Sequence, residues 1–121
     1  MDVGDGLVGC GTVLLSVSAL LGFAQYANRA SAERAQLWRV VHAGGTAGAV
    51  QLLGLGAVWQ HFTRGVWTSA IAAGIVLTTF AFFLGPLARA LERPRLAAAL
   101  LRVGALASVP AYVALPFALA W

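Results

Sequence analysis

His42 is the residue of this sequence best suited to chemistry, because an imidazole is unusual inside so apolar a segment. It lies in WRVVHAGGTAGAVQLLGLGAVW, residues 38–59, and glycines follow it closely. A neutral imidazole can bind a metal through Nε2 while Nδ1–H donates to a backbone carbonyl one turn back. The alternative, which spacing alone favours, is an interfacial histidine that is hydrogen-bonded to a neighbour or to water.

Small residues surround His42 on two faces of the predicted helix, at about 100° per residue. Gly45 and Ala49 share the face of His42, and we expect them to leave the flat recess that a porphyrin needs beside its ligand. Gly44 and Gly48 lie roughly opposite and form a GxxxG pattern, which is typical of close helix packing in lipid. The sequence therefore predicts a cofactor recess at Gly45 and a packing seam at Gly44 and Gly48.

A haem iron is a better candidate for His42 than a bare metal ion. No second ligand stands at helical spacing from His42, and no acidic residue lies inside the apolar blocks. His61 lies roughly 28 Å further along the same helix, so the two histidines of one chain cannot bind one iron. A haem held by His42 alone keeps its sixth position open, as ligand binding or chemistry requires.

Other side chains lie near a suitable depth for such a site. Arg39 and Arg102 are candidates for binding haem propionates, but arginines that merely extend toward the membrane surface give the same pattern. Phe82 and Phe83 are candidates for an apolar substrate pocket or for ordinary helix packing. Tyr112, near the far interface, is a candidate for either a catalytic or an interfacial role.

Four apolar blocks must position these residues. The chain has 121 residues, of which 60% are hydrophobic and 10% charged, whereas soluble domains carry about 25% charged residues. Each block is long enough to cross a ~30 Å hydrocarbon core as a helix, the form that satisfies its backbone in lipid. We predict an all-α, antiparallel four-helix transmembrane bundle forming one domain, 1–121, with helices at about 6–26, 38–59, 66–88 and 96–120.

The charges indicate how this bundle is oriented. The net charge is +4 and Arg supplies every basic side chain, but the arginines separate apolar blocks, which favours membrane orientation over nucleic-acid binding. Most of them lie in loops 27–39 and 88–95, whereas only Arg64 lies on the opposite side. The positive-inside rule then predicts a multi-pass protein of the inner (cytoplasmic) membrane with these two loops in the cytoplasm and both termini outside.

The segment WRVVHAGGTAG resembles the second-helix signature of the styrene oxide isomerase family, which has Trp, Arg, then His, a small residue and Gly, with a further Gly. The order of other motifs is similar: Tyr26 and Asn28 end the first helix, and Pro-Ala-Tyr, ending at Tyr112, lies on the fourth. The resemblance implies a trimeric four-helix membrane enzyme with haem b held by His42. Tyr26, Asn28 and Tyr112 are then the catalytic candidates.

The resemblance also implies a reaction. Ferric iron acts as a Lewis acid on the oxygen of a lipophilic epoxide, and ring opening with a 1,2-shift gives a carbonyl compound (a Meinwald rearrangement). A dry apolar pocket prevents diol formation. This chain differs from the family in having Gly48 six residues after the histidine, where the family has Asn. It also has a Phe-rich third helix where the family has Tyr and other polar groups, so Tyr26 or Gln25 would have to orient the epoxide.

Two other functions remain open from the sequence. One is a non-enzymatic membrane haem-binding protein, either a sensor or a subunit of a larger complex. The other is a small transporter or packing subunit without a cofactor. Transporters usually need an intramembrane charge or discontinuous helices, so we rank this last function below the others.

Overall fold

The chain consists of four long helices, as the apolar blocks predict. The computed structural model describes residues 2–118, and within them each long helix is apolar and long enough to cross a membrane. The predicted all-α, four-helix transmembrane fold is confirmed. The helices are α1 (Val3–Ala27), α2 (Ala32–Val58), α3 (Val66–Ala90) and α4 (Pro94–Ala114), and 3-10 turns follow at Trp59–His61 and Leu115–Ala118.

Two helix ends differ from the sequence prediction. Helix α2 begins at Ala32 rather than near residue 38, because Ser31 caps its N-terminus and accepts a hydrogen bond from the Arg34 backbone N–H at 3.4 Å. Part of the predicted loop 27–39 is therefore helical, and Arg39 stands on α2. Helix α4 ends at Ala114, ahead of the predicted end near 120; positions 119–121 lie outside the described residues.

Small residues allow the helices to pair closely as two hairpins, α1 with α2 and α3 with α4. A Cβ at Gly11 would lie 2.9 Å from Leu53 Cγ and 3.0 Å from the Ala49 carbonyl oxygen. In the second hairpin, a Cβ at Gly74 would lie 3.0 Å from Ala111 Cβ. Close backbone approach of this kind is how helices gain packing contacts in lipid, where burial of apolar surface gives no advantage.

The two hairpins meet mainly along α2 and α3. A Cβ at Gly48 would lie 2.6 Å from Thr79 Cγ2, so this glycine packs on α3. Within residues 2–118, the α4 backbone does not come close to α1 or α2. A side-chain hydrogen bond nevertheless joins α2 to α4, with Gln51 Nε2 donating to the Tyr112 hydroxyl.

The packing seam of α2 is not the predicted one. Its buried residues are Val41, Gly45, Ala49 and Leu52. Gly44 is exposed and has no atom within 4 Å of the position of a Cβ, so Gly44 and Gly48 do not form one packing seam within this chain. The face that carries His42 is the one that packs on α1.

Candidate functional site

Contacts with α1 fix the imidazole of His42. His42 lies about 15 Å along α2 from its first residue, is half-buried, and places Nδ1 2.7 Å from the Ser18 carbonyl oxygen. Because a carbonyl oxygen only accepts, Nδ1 carries a proton, and in the neutral ring Nε2 is then the nitrogen with a lone pair. The sequence correctly predicts a carbonyl partner but places it one turn back on the same helix, whereas the structure places it on α1.

The other ring nitrogen of His42 is available to a ligand. Nε2 has no hydrogen-bond partner among residues 2–118. If Nε2 were fully buried, it would be a buried polar atom without a partner, and within the same range Thr78 Oγ1 is the one side-chain atom of that kind. Nε2 is therefore accessible from outside the packed core. A fixed tautomer with an accessible Nε2 is the arrangement that a metal-binding imidazole needs.

The cavity beside His42 lies between the C-terminal part of α1 and the first half of α2. Its volume is about 650 Å³, within the range of roughly 300–1,000 Å³ found for small-molecule sites. We call it the arginine groove. Its lining residues are Gly22, Gln25, Tyr26, Arg29, Ala32, Ala35, Gln36, Arg39 and His42.

Two guanidinium groups give the groove its charge. Arg29 and Arg39 both line it, and it has no acidic lining residue. Arg29 lies over the ring of Tyr26, 4.0 Å from guanidinium carbon to ring centroid, a cation–π contact that orients the side chain. The groove thus combines an imidazole with two guanidinium groups, which are able to bind carboxylates. Arg29 is not among the residues predicted from the sequence, although its position about one turn after Tyr26 is the signal that identifies it.

Gly45 does not provide the predicted recess for a porphyrin. A Cβ at this position would overlap the Ser18 hydroxyl oxygen and would lie 2.8 Å from Phe83 Cδ2. The space beside Gly45 is therefore filled by α1 and α3, and the open side of His42 lies toward residues that precede it in α2. The assignment of Gly45 to cofactor binding is corrected to close packing of three helices.

The structure separates three other predicted residues from the arginine groove. Arg102 is exposed on α4, whose backbone does not come close to α1 or α2, and it does not line the groove, whereas Arg29 does. Phe82 packs toward α4, where a Cβ at Gly104 would lie 3.3 Å from its ring. Phe83 is buried behind Gly45. Neither phenylalanine lines the groove.

The three predicted catalytic side chains are not brought together. Tyr26 lines the arginine groove and is 64% exposed. Asn28 caps α1 instead, with Nδ2 donating to the Ala24 carbonyl oxygen at 2.8 Å. Tyr112 is paired with Gln51, about 13 Å along α2 from His42. Of the three, Tyr26 is the residue with access to a ligand held by His42.

Two other cavities have similar volumes but different chemistry. One, of about 650 Å³, lies between α3 and α4, and its lining residues are apolar except for Thr63 and Thr68. The other, of about 660 Å³, lies between α1 and α3 at the opposite end of α1 from the groove. Neither is lined by a histidine or an arginine, so the arginine groove is the candidate site.

The groove offers one histidine as a possible metal ligand, which suits a metal that is already coordinated by a macrocycle. Within residues 2–118, no three side chains of His, Cys, Asp and Glu gather closely enough to hold a metal ion. His42 can therefore serve as the single protein ligand of a metal already coordinated by a macrocycle. Its accessible Nε2, the volume of the groove and the two arginines fit a haem with two propionates.

Comparison with known proteins identifies the family of the chain. No curated protein and no solved structure matches the chain. A family model described as styrene oxide isomerase matches residues 4–121, which covers all four helices. Membership of this family indicates an epoxide isomerase in a multi-pass membrane fold. The chain belongs to the styrene oxide isomerase family.

Proposed function

We propose that this protein binds haem b at His42 and isomerises a lipophilic epoxide to a carbonyl compound. The observation that carries the proposal is the imidazole of His42, which has Nδ1 held by the Ser18 carbonyl at 2.7 Å and which lines the arginine groove. Family membership supports the isomerase class. The non-enzymatic haem protein and the cofactor-free subunit become outcomes of the test below.

Haem with ferric iron, when bound, would supply a Lewis acid for the epoxide oxygen. In the substrate, the C–O bond to the carbon that better stabilises positive charge breaks. A substituent then shifts to that carbon from its neighbour, and a C=O bond forms at the neighbouring carbon, which keeps the oxygen. All atoms stay in the molecule, so no water, oxidant or reductant is consumed. Water must be kept from the opening epoxide, because its addition would give a diol.

Tyr26 and Gln25 are the residues proposed to orient the substrate oxygen. Both line the arginine groove, and their hydroxyl and amide groups can donate hydrogen bonds. At Gly48, where the family has Asn, a Cβ would lie 2.6 Å from Thr79 Cγ2. An Asn side chain would therefore require the Thr79 side chain to shift, and we propose that the end of α1 makes the polar contribution instead.

Two further parts of the proposal concern the protein in its membrane. The excess of arginines in and around loops 27–39 and 88–95 favours a cytoplasmic position for that side of the bundle in the inner membrane, with both termini outside. The family resemblance implies a homotrimer. The arginine groove then opens near the cytoplasmic surface, where haem propionates can remain hydrated.

The test is the absorption spectrum of the purified protein, followed by incubation with epoxides. We expect a Soret band after reconstitution with hemin, and conversion of an aryl or terpenoid epoxide to an aldehyde or ketone by the ferric form. Cyanide should block this conversion by occupying the open position. A missing Soret band would exclude both haem functions. A normal band without turnover across a broad panel of epoxides would favour a sensor or complex subunit.

Arg29→Gln and Arg39→Gln should each weaken haem binding. Each replacement removes a guanidinium group that lines the arginine groove, and we expect a loss of affinity of up to about fivefold, the range for solvent-exposed ion pairs. Hemin titration followed at the Soret band measures this effect. Arg102→Gln is the charge-matched control on α4 and should leave the affinity unchanged. An equal loss in Arg102→Gln would show that Arg102 contacts the cofactor.

A further inference from the structure

Ser18 and His42 exchange two hydrogen bonds between neighbouring helices. The Ser18 hydroxyl donates to the His42 carbonyl oxygen at 2.9 Å, and His42 Nδ1–H donates to the Ser18 carbonyl oxygen at 2.7 Å. Ser18 is completely buried. The two residues therefore form a closed pair that joins α1 to α2 at the level of the imidazole.

Ser18 uses its hydroxyl to join two helices, one of the ways in which membrane helices associate. A serine hydroxyl ordinarily bonds to a carbonyl one turn back on its own helix, as Ser16 does with the Thr12 carbonyl oxygen at 3.0 Å. Ser18, two residues later on α1, directs its hydroxyl to α2 instead. Its own carbonyl is thereby held against the histidine ring.

Gly45 makes the close approach of Ser18 possible. The Ser18 hydroxyl occupies the space in which a Cβ of residue 45 would lie, and Phe83 closes the same space from α3. The Ser18 hydroxyl is therefore closely packed between Gly45 and Phe83. Packing and hydrogen bonding both fix the distance between the Ser18 carbonyl and His42.

We propose that Ser18 is a positioning residue for His42. Its hydroxyl holds α1 against α2, and its carbonyl then keeps the imidazole in the Nδ1–H tautomer, with Nε2 accessible from the arginine groove. The part of this inference that concerns cofactor affinity rests on the proposed function. The tautomer and its dependence on Ser18 are properties of the protein without any cofactor.

Loss of the Ser18 hydroxyl should make the orientation of the His42 imidazole less fixed and should lower the basicity of its Nε2. A histidine that donates from its second nitrogen to a carbonyl is a stronger base, and loss of such a partner typically weakens metal affinity about 10–100-fold. Ser18→Ala keeps the backbone carbonyl and loses only the hydroxyl that holds it in place, so we expect haem affinity to fall by up to about tenfold, the low end of that range. The haem midpoint potential should rise, because a less basic imidazole stabilises ferric iron less well.

The first measurement uses the cofactor-free wild-type protein. In ¹⁵N-histidine-labelled protein in detergent micelles, long-range nitrogen–proton correlation spectra identify the protonated ring nitrogen, and the His42→Ala spectrum assigns the signals. We expect His42 to carry its proton on Nδ1. A spectrum showing Nε2–H in the wild type would overturn the inference, and this measurement does not depend on the folding of a Ser18 variant.

The second measurement compares Ser18→Ala with the matched control Ser16→Ala, which removes an exposed hydroxyl from the same helix. In Ser18→Ala we expect a mixture of tautomers, weaker hemin binding and a raised potential, whereas Ser16→Ala should match the wild type. Equal affinities and potentials in the two variants would overturn the positioning role. Nδ1–H without any Soret band would instead refute the proposed function and leave the tautomer assignment intact.

Discussion

Replacing His42 with alanine is expected to abolish haem binding and, with it, epoxide isomerisation. His42 is the histidine beside the arginine groove, and no metal-binding cluster exists among residues 2–118 to replace it. We expect the Soret band to disappear and turnover to fall by more than about 100-fold, the upper end of the effect of losing only a ligand's hydrogen-bond partner. Hemin titration and gas chromatography of the carbonyl product measure the two effects.

The control for this experiment is His61→Ala. His61 is exposed in the turn that follows α2, at the opposite end of the helix from the groove. This variant should keep the spectrum and the activity of the wild type.

Added imidazole should partly restore the band in His42→Ala by occupying the vacated space. A band that persists in His42→Ala would place the ligand elsewhere, and activity without a band would show that the reaction does not need haem.

Gly45→Ala is expected to destabilise the protein strongly. The added methyl group would overlap the Ser18 hydroxyl and lie 2.8 Å from Phe83 Cδ2, where α1, α2 and α3 meet. Overpacking of this kind typically costs about 1–3 kcal/mol, although alanine itself favours a helix over glycine by about 1 kcal/mol. We therefore expect a clearly lower Tm in a fixed detergent, measured by circular dichroism, together with weaker hemin binding.

Gly44→Ala makes the matched comparison for Gly45→Ala. The two glycines are adjacent, but a Cβ at Gly44 meets no atom within 4 Å. With open space on that face and a better helix former in place, we expect an unchanged or slightly higher Tm. If both variants lowered the Tm equally, the helix itself rather than the three-helix contact would be responsible, and the assigned packing face of α2 would be wrong.

The sequence predicts the helical fold well because membrane spans are recognisable by length and apolarity alone. It predicts the start of α2 poorly, because residues 32–37, AERAQL, are polar enough to resemble a loop. In the structure they form a helix capped by Ser31. A helix can extend beyond the apolar part of its span, so hydropathy marks the membrane boundary and not the helix end.

The faces of the helices are much harder to predict than the helices themselves. In a soluble protein a polar face identifies the exterior, but α2 is apolar on all sides within its span, and small residues occur both at Gly44 and at Gly45. Helical periodicity correctly groups Gly45 with His42. It gives no indication that Ser18, on a different helix, fills the space beside them.

The packing of the helices also explains why the sequence predicts Arg102, and not Arg29, beside His42. By depth along their helices, Arg39 and Arg102 are equally suitable for binding haem propionates. Which helices are neighbours decides which of the two lies beside His42. Arg102 stands on α4, which packs on α3, whereas Arg29 follows α1 directly and lines the groove. Neighbour relations between helices depend on many weak contacts, and one sequence alone does not specify them.

The location of the arginine groove within the first hairpin has a consequence for biosynthesis. Every lining residue lies between positions 22 and 42, so the groove is complete once α1 and α2 have paired in the membrane. The ribosome has yet to deliver α3 and α4 at that stage. A nascent chain arrested after α2 therefore already contains every residue that lines the groove, and under the proposed function it can be tested for hemin binding.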